Sequence, residues 1–377
     1  LHGYAAVNYY NYNYDTDPTL KNKIDAERLN IYPEYQFKDW IAFRSEIEFE
    51  HGGTGAAVDY DTQEEFGEFE QEIEKGGSIK LEQIYADFQI KPYFNVKVGR
   101  LKVLFNLAQS LDDPDEYFTT HRQEMENALT PLGWYENGIG IYGTFAKKFN
   151  YYFTFTNGLD SSGFNSSGWI KNGHQEKFKM VTAESFATML RLDYKFGKHK
   201  HTYAGMSAYI GDSSANRPQE DMRESAYVTM FEGHVTYNEF PSRFYSTGIY
   251  GNLENSNIVS QKNANLSNNL GVKRTPVGKN AVGFTTEIGY EVLHHFSNLK
   301  HHMLYPFLRY DYYDSMYDVE GSIVDNPRWQ RSAITGGINW FMAQEVTIKA
   351  QDTNRRLGSQ NYDLNTLLYT GKKQIEN

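Results

Sequence analysis

Six carboxylates fall within residues 106–133: Asp112, Asp113, Asp115, Glu116, Glu124 and Glu126, with His121 and Arg122 as the basic residues among them. Acidic side chains bordering a confined aqueous space attract cations, because the field concentrates beside a low-dielectric wall. The same residues could equally form the outward, solvated face of a short helix. A second set, Arg28, Arg44, Arg191 and Arg309, is interleaved with Glu34, Glu46, Glu48, Asp193 and Asp311. Mixed charges on one face create a transverse field that orients polar solutes, or they pair with one another and stiffen a wall.

Other candidates are weaker. His294, His295, His301 and His302 bracket a short predicted turn, but no Cys or carboxylate cluster beside them completes a metal site. Glu64, Glu65, Glu68, Glu70, Glu72 and Glu74 lack the ligand spacing of a calcium loop. Neither a Gly-x-Ser-x-Gly elbow, nor a Walker loop, nor a His-Glu-x-x-His motif occurs, so no enzyme activity and no cofactor are expected.

The elements that must hold these charges are strands. Apolar residues recur at every second position in about fifteen or sixteen segments of roughly ten residues. No apolar run approaches the roughly 20 residues of a membrane helix. Leu29, Ile31, Phe43, Ile47, Phe153, Phe155, Leu190 and Leu192 fall on one face, while Arg44, Glu46 and Glu48 fall on the other.

Connections alternate in length. Short turns are expected near residues 38–39, 92–94, 147–148, 197–200, 241 and 293–301, and long polar loops at 52–78, 106–133, 158–183 and 255–280. The count predicts an even-numbered barrel of about 16 strands. A last segment is expected to begin near Leu367, leaving the closing strand incomplete.

Composition agrees with such a barrel. The 377 residues carry 37 Lys and Arg against 48 Asp and Glu, a net charge of −11 that argues against nucleic acid as a partner. Aromatic residues make up 16 %, yet the mean hydropathy is −0.66, too polar for a helical membrane protein. A transmembrane barrel reconciles the two through an apolar outside with aromatic girdles, a polar inside and long polar loops. A soluble sandwich or propeller is the competing architecture. Cysteine is absent, so no disulfide framework is available. The strand pattern runs through residues 1–377 without a change of character, which predicts a single domain, and the first residues lead directly into a strand, as in a mature chain.

Several runs resemble Bacteroidetes-type outer-membrane porins, a group distantly similar to the phosphate-selective porins. They are Leu1-His2-Gly3-Tyr4-Ala5-Ala6-Val7-Asn8-Tyr9, Phe43-Arg44-Ser45-Glu46-Ile47-Glu48-Phe49-Glu50-His51, Leu81-Glu82-Gln83-Ile84-Tyr85-Ala86-Asp87-Phe88 with Val98-Gly99-Arg100, Trp134-Tyr135-Glu136-Asn137-Gly138-Ile139-Gly140-Ile141-Tyr142-Gly143, and Tyr152 to Leu159. The likeness covers roughly the first 160 residues well and the rest by pattern. It implies a bacterial outer-membrane location, short periplasmic turns, long extracellular loops and a third long loop, residues 106–133, that folds inward as a constriction. It departs from the group in that loop, where an acidic segment stands in place of a basic one suited to anions.

The expected function is passive diffusion of small hydrophilic solutes or ions, with Arg28, Arg44, Glu46, Glu48, Arg191, Asp193, Arg309 and Asp311 lining the pore and a mild preference for cations. The alternative is a non-conducting structural barrel within a larger outer-membrane assembly. Expected partners are solutes, outer-membrane lipid, and either two further copies in a homotrimer or other outer-membrane proteins.

Overall fold

The computed structural model describes residues 2–52, 57–61, 70–74, 77–131, 133–175, 180–266, 274–296, 302–343, 345–359, 361–363, 368–370 and 374–377. Glu64, Glu65, Glu68 and His301, and the side chains of Glu70, Glu72 and Glu74, lie outside the described residues.

The chain is a transmembrane antiparallel β-barrel. Its first strands are β1 (His2–Tyr10), β2 (Lys23–Tyr32), β3 (Glu34–Lys38) and β4 (Ile41–Glu50). Two short strands, β5 (Ala57–Asp61) and β6 (Glu70–Glu74), form a separate hairpin inside the long 51–78 connection. The wall continues through β7 (Ile79–Lys91), β8 (Phe94–Lys102), β9 (Tyr135–Phe145), β10 (Phe149–Asn157), β11 (Phe186–Lys195) and β12 (Tyr203–Asp212). It is completed by β13 (Tyr227–Glu239), β14 (Ser242–Leu253), β15 (Asn280–Tyr290), β16 (Met303–Asp318), β17 (Gln330–Ala343) and β18 (Val346–Leu357). A small hairpin of β19 (Asn361–Asp363) and β20 (Leu368–Thr370) precedes β21 (Gln374–Glu376). Two helices, α1 (Glu124–Leu129) and α2 (Ser256–Ala264), lie in long loops.

The sequence predicts one strand over residues 23–37, whereas the structure divides it at Pro33, which has no N–H to donate. Both halves pair with β4, so β2 and β3 act as one interrupted wall strand. The last segment also differs from expectation. Leu368–Thr370 belong to the β19–β20 hairpin, and the strand that meets the wall is β21, antiparallel to β18. Its other side meets the connection between β1 and β2, where Asn13 and Asn377 exchange backbone hydrogen bonds of 2.9 and 3.1 Å. The seam between the two ends of the sheet is thus bridged near the long-loop rim.

The period-two pattern gives the wall two faces. In β11, Ala187, Met189, Arg191 and Asp193 are buried, while Phe186, Leu190, Leu192 and Tyr194 are exposed. Around the outside, aliphatic positions such as Met206, Ile288, Leu308, Ile334 and Ile338 form a band. Near the short turns it gives way to Phe37, Trp40, Tyr93, Phe149, Phe196 and Phe240, the interfacial girdle of a membrane barrel.

The interior is not polar throughout. Loop residues Phe105, Met125, Leu129, Trp134, Trp169 and Val259 pack into one apolar cluster with inward side chains of the wall, among them Met189, Met230 and Tyr313. Wall glycines make room for it. A Cβ on Gly283 would lie 2.4 Å from the Met125 sulfur and one on Gly251 would lie 2.0 Å from the Trp169 ring, while one on Gly289 would lie 2.4 Å from the ring of Phe118, which packs in a separate cluster with Tyr305, Phe307 and Phe341. The lumen is therefore partly occupied by the protein's own loops, with apolar packing where the sequence suggested a polar interior.

Candidate functional site

The segment between β8 and β9 enters the barrel. Its side chains and backbone reach strands far away in sequence, and those contacts define the site. Arg28 on β2 donates to the Tyr117 hydroxyl at 2.8 Å. Arg191 on β11 donates to Ser110 Oγ at 2.6 Å and to the Asn106 carbonyl at 3.2 Å. Lys349 on β18 donates to the carbonyls of Tyr117 and Thr119 at 2.7 and 3.0 Å. Tyr245 on β14 donates to Glu126.

The helix α1 is fastened most directly. Arg355 on β18 meets Glu124 at two points, Nε to Oε1 at 2.5 Å and Nη2 to Oε2 at 2.7 Å, and Tyr313 on β16 donates to the same carboxylate at 2.8 Å. Two parallel bonds from a planar guanidinium fix direction as well as distance. The backbone N–H of Met125 lies 3.4 Å from Asp311.

The six loop carboxylates are dispersed. Asp112 lies 2.5 Å from Arg122, 2.7 Å from Lys102 and 3.5 Å from Arg28. Burial pushes its pKa up, but these three cations outweigh burial and hold it below the ordinary range. Glu116 pairs with His201 at 2.9 Å and Lys200 at 3.4 Å, and is likewise held low against its burial. Glu126 is fully enclosed, and burial pushes it up to about 7 despite bonds from Tyr245 and the Ala108 N–H. Asp113 and Asp115 are exposed; burial of the Asp113 carboxyl, then Glu116, Asp112 and Asp115, raise its pKa to about 6. No ring of six free carboxylates assembles, because cations reach Asp112, Glu116 and Glu124, and burial encloses Glu126.

The predicted wall charges also lie inward and find partners. Glu46 accepts from Asn30 at 3.0 Å and Gln83 at 2.5 Å, and Glu48 stands 3.9 Å from both Arg28 and Arg122. Arg191 pairs with Asp193 at 3.0 Å, and Asp193 faces His234 at 2.9 Å. Arg309 pairs with Asp311 at 2.7 Å and Glu287 at 3.2 Å. Arg44 bridges Glu34 at 2.6 Å and Asp87 at 3.3 Å, and its side chain is 29 % exposed.

Sequence reasoning missed Lys102, Tyr245, Tyr313 and Arg355. Parity along the strands would have placed Tyr245 and Tyr313 inward, but Arg355 fell beyond the predicted end of β18. At the turn before β16, the His294 and His295 rings lie tilted by 39° with centres 3.8 Å apart, and the His294 Nδ1 approaches the Glu291 carbonyl at 2.6 Å.

Between α1, the 158–185 loop and the inner faces of β16–β18 lies a polar cavity of about 510 Å³. It shares Arg122, Lys171 and Asn172 with a space of about 170 Å³, which in turn shares Asn172 and His174 with a cavity of about 520 Å³ among the long loops. Three polar spaces thus lie one beside the next between the long loops and the barrel interior.

Comparison with solved structures gives the same architecture. The chain is similar to a loop-deletion mutant of OmpT, an outer membrane protein of Vibrio cholerae, with a TM-score of 0.52 at 10 % identity over 99 % of this chain and 97 % of that one. It is similar to Salmonella typhi OmpF (0.51, 10 %, 99 % and 94 %) and to the outer membrane channel DcaP of Acinetobacter baumannii (0.51, 9 %, 94 % and 85 %). The fold is that of an outer-membrane porin barrel. Among curated proteins, the chain is 28 % identical over 319 residues to an uncharacterised protein of Aquifex aeolicus (strain VF5), spanning 83 % of this chain and 65 % of that protein's length. No family model matches.

Proposed function

We propose that this barrel is an outer-membrane channel through which small hydrophilic solutes or ions diffuse passively, and that residues 106–133 are its constriction. The observation that carries the reading is the run of polar spaces from the long-loop mouth past Lys171 and Arg122 to the β16–β18 wall. Inward arginines and carboxylates hold water and polar solutes there, while the apolar cluster confines passage to one side of the lumen. Arg28, Arg44, Arg191 and Arg309, with the carboxylates beside them, act in this reading as the wall of the path and as braces for the loop. The strand motifs of the first 160 residues support a place among Bacteroidetes-type porins. No catalytic residue is needed.

A second reading has its own support. The enclosed apolar cluster, with Trp134 and Trp169 at 0 % exposure, suits a closed barrel that serves as a structural subunit beside other outer-membrane proteins. Purified protein in planar bilayers separates the two. Stepwise KCl currents are expected of the channel, and their absence across repeated insertions would leave the structural barrel.

A further inference from the structure

We infer that the 510 Å³ cavity is a binding site for a hydroxylated organic carboxylate, of the uronic- or aldonic-acid kind, whose carboxylate is held between Lys171 and Arg331. The inference rests on the channel reading and names a solute class for it.

The charges of the cavity decide its sign. Glu124 is taken up by Arg355 and Asp311 by Arg309, each through two bonds. Arg122 is paired with Asp112 at 2.5 Å and His121 stands 3.8 Å from Glu27. Lys171 and Arg331 remain, and neither has a carboxylate within ion-pair distance among the described residues. Arg331 instead lies over the Trp329 ring, 5.0 Å from its centre, and its buried Nε has no hydrogen-bond partner. Burial, and then the proximity of Arg331, lower the pKa of Lys171. Two unpaired cations lining one partly dehydrated cavity destabilise each other, and an anion between them removes that repulsion and supplies acceptors to both.

The rest of the lining points to an organic anion. Asn127, Thr335, Gln351 and Thr353 are neutral rather than charged; Gln351 accepts from the Thr120 N–H at 2.7 Å and the Thr335 and Thr353 hydroxyls meet at 3.0 Å, which leaves each hydroxyl further lone-pair capacity toward the cavity. Those groups match hydroxyls along a carbon chain or ring. The volume also falls within the range of roughly 300–1,000 Å³ usual for organic ligands, and an inorganic oxyanion would leave most of it empty.

Titration calorimetry with sodium glucuronate on the intact protein in detergent micelles tests this, with glucose and inorganic phosphate as competitors. Saturable glucuronate binding is expected, with glucose far weaker. Lys171→Gln and Arg331→Gln should each weaken binding by about tenfold, since each removes one charge-assisted hydrogen bond. Thr335→Val, which alters no charge, should weaken it by about threefold and serves if a glutamine variant fails to form the heat-modifiable barrel. No saturable glucuronate binding, unchanged affinity in the folded variants, or phosphate binding as tightly as glucuronate would overturn the assignment. KCl conductance of the same preparation separates the two claims. A silent preparation that binds glucuronate retires the channel and retains the site, while a conducting one that does not bind retires the site and retains the channel.

Discussion

Arg355 and Glu124, 231 positions apart in sequence, meet across the barrel through two parallel hydrogen bonds of 2.5 and 2.7 Å. The pair ties the helix of the inward loop to the last long strand. Burial raises the Glu124 pKa, but the bonds and charge of Arg355 outweigh it and bring it below its ordinary value of 4.5. A carboxylate depressed in the folded state adds stability above its unfolded pKa and loses it as pH falls through the folded one. Loop anchoring should therefore be constant from neutral pH down to about 4.5 and weaken below that. Arg355→Gln should cost roughly 1–3 kcal/mol of barrel stability at neutral pH and, by leaving burial as the largest influence on Glu124, abolish or reverse this acid dependence, measured by urea unfolding at pH 7 and pH 3.

The glycine socket at 283 gives a packing test. Gly283→Val places atoms where the Met125 sulfur lies, and overpacking of this kind costs typically about 1–3 kcal/mol. The double variant with Met125→Ala should recover most of that loss, because the clash needs both side chains. Additive losses in the double-mutant cycle would show that the loop does not pack there.

Phe155 is 42 % exposed on the outer face of β10, between Phe186 and the girdle residues. Phe155→Arg near mid-membrane should cost roughly 2–4 kcal/mol in a lipid folding assay. A neutral result would place this face away from lipid.

Cysteine labelling can read the strand register, since the chain has no native thiol. Arg44→Cys should react with a small water-soluble reagent, whereas Phe43→Cys should be protected by lipid. Reversal of the two would mean a register shifted by one residue.

Charge selectivity is expected to differ from what the acidic loop suggests. Because Asp112, Glu116 and Glu124 have cationic partners, replacing them should change selectivity mainly by releasing those cations. Asp113→Asn with Asp115→Asn should lower the cation-to-anion permeability ratio only modestly, and the effect should fade as pH falls through about 6, where Asp113 takes up its proton. Reversal potentials across a KCl gradient at pH 7.5 and pH 5 provide the measurement. A large pH-independent change would contradict the exposure and raised pKa assigned to Asp113.

Alternation along the strands made the wall legible from sequence. Leu190 and Leu192 point out and Arg191 and Asp193 point in because a period of two leaves one solution once lipid surrounds the outside. What alternation could not show was the occupied interior. Met125, Leu129 and Trp169 sit in loops without periodicity, and their sockets are glycines, whose lack of a side chain leaves no hydrophobic signal. Most partners of the acidic loop were hidden for a related reason: beside Arg122, the cations that meet it, Lys102, Lys200 and Arg355, come from outside the 106–133 segment.

The enclosed cluster gives this barrel two apolar surfaces that depend on different solvents. The outer one needs lipid or a micelle, whereas the inner one is satisfied by the chain itself, much as in a water-soluble protein. Exchange between detergents of different chain length should thus disturb the outer band while leaving the loop packing intact. Amide exchange in residues 106–131 should stay slow through such an exchange, and loss of its protection would signal global unfolding rather than a change of amphiphile.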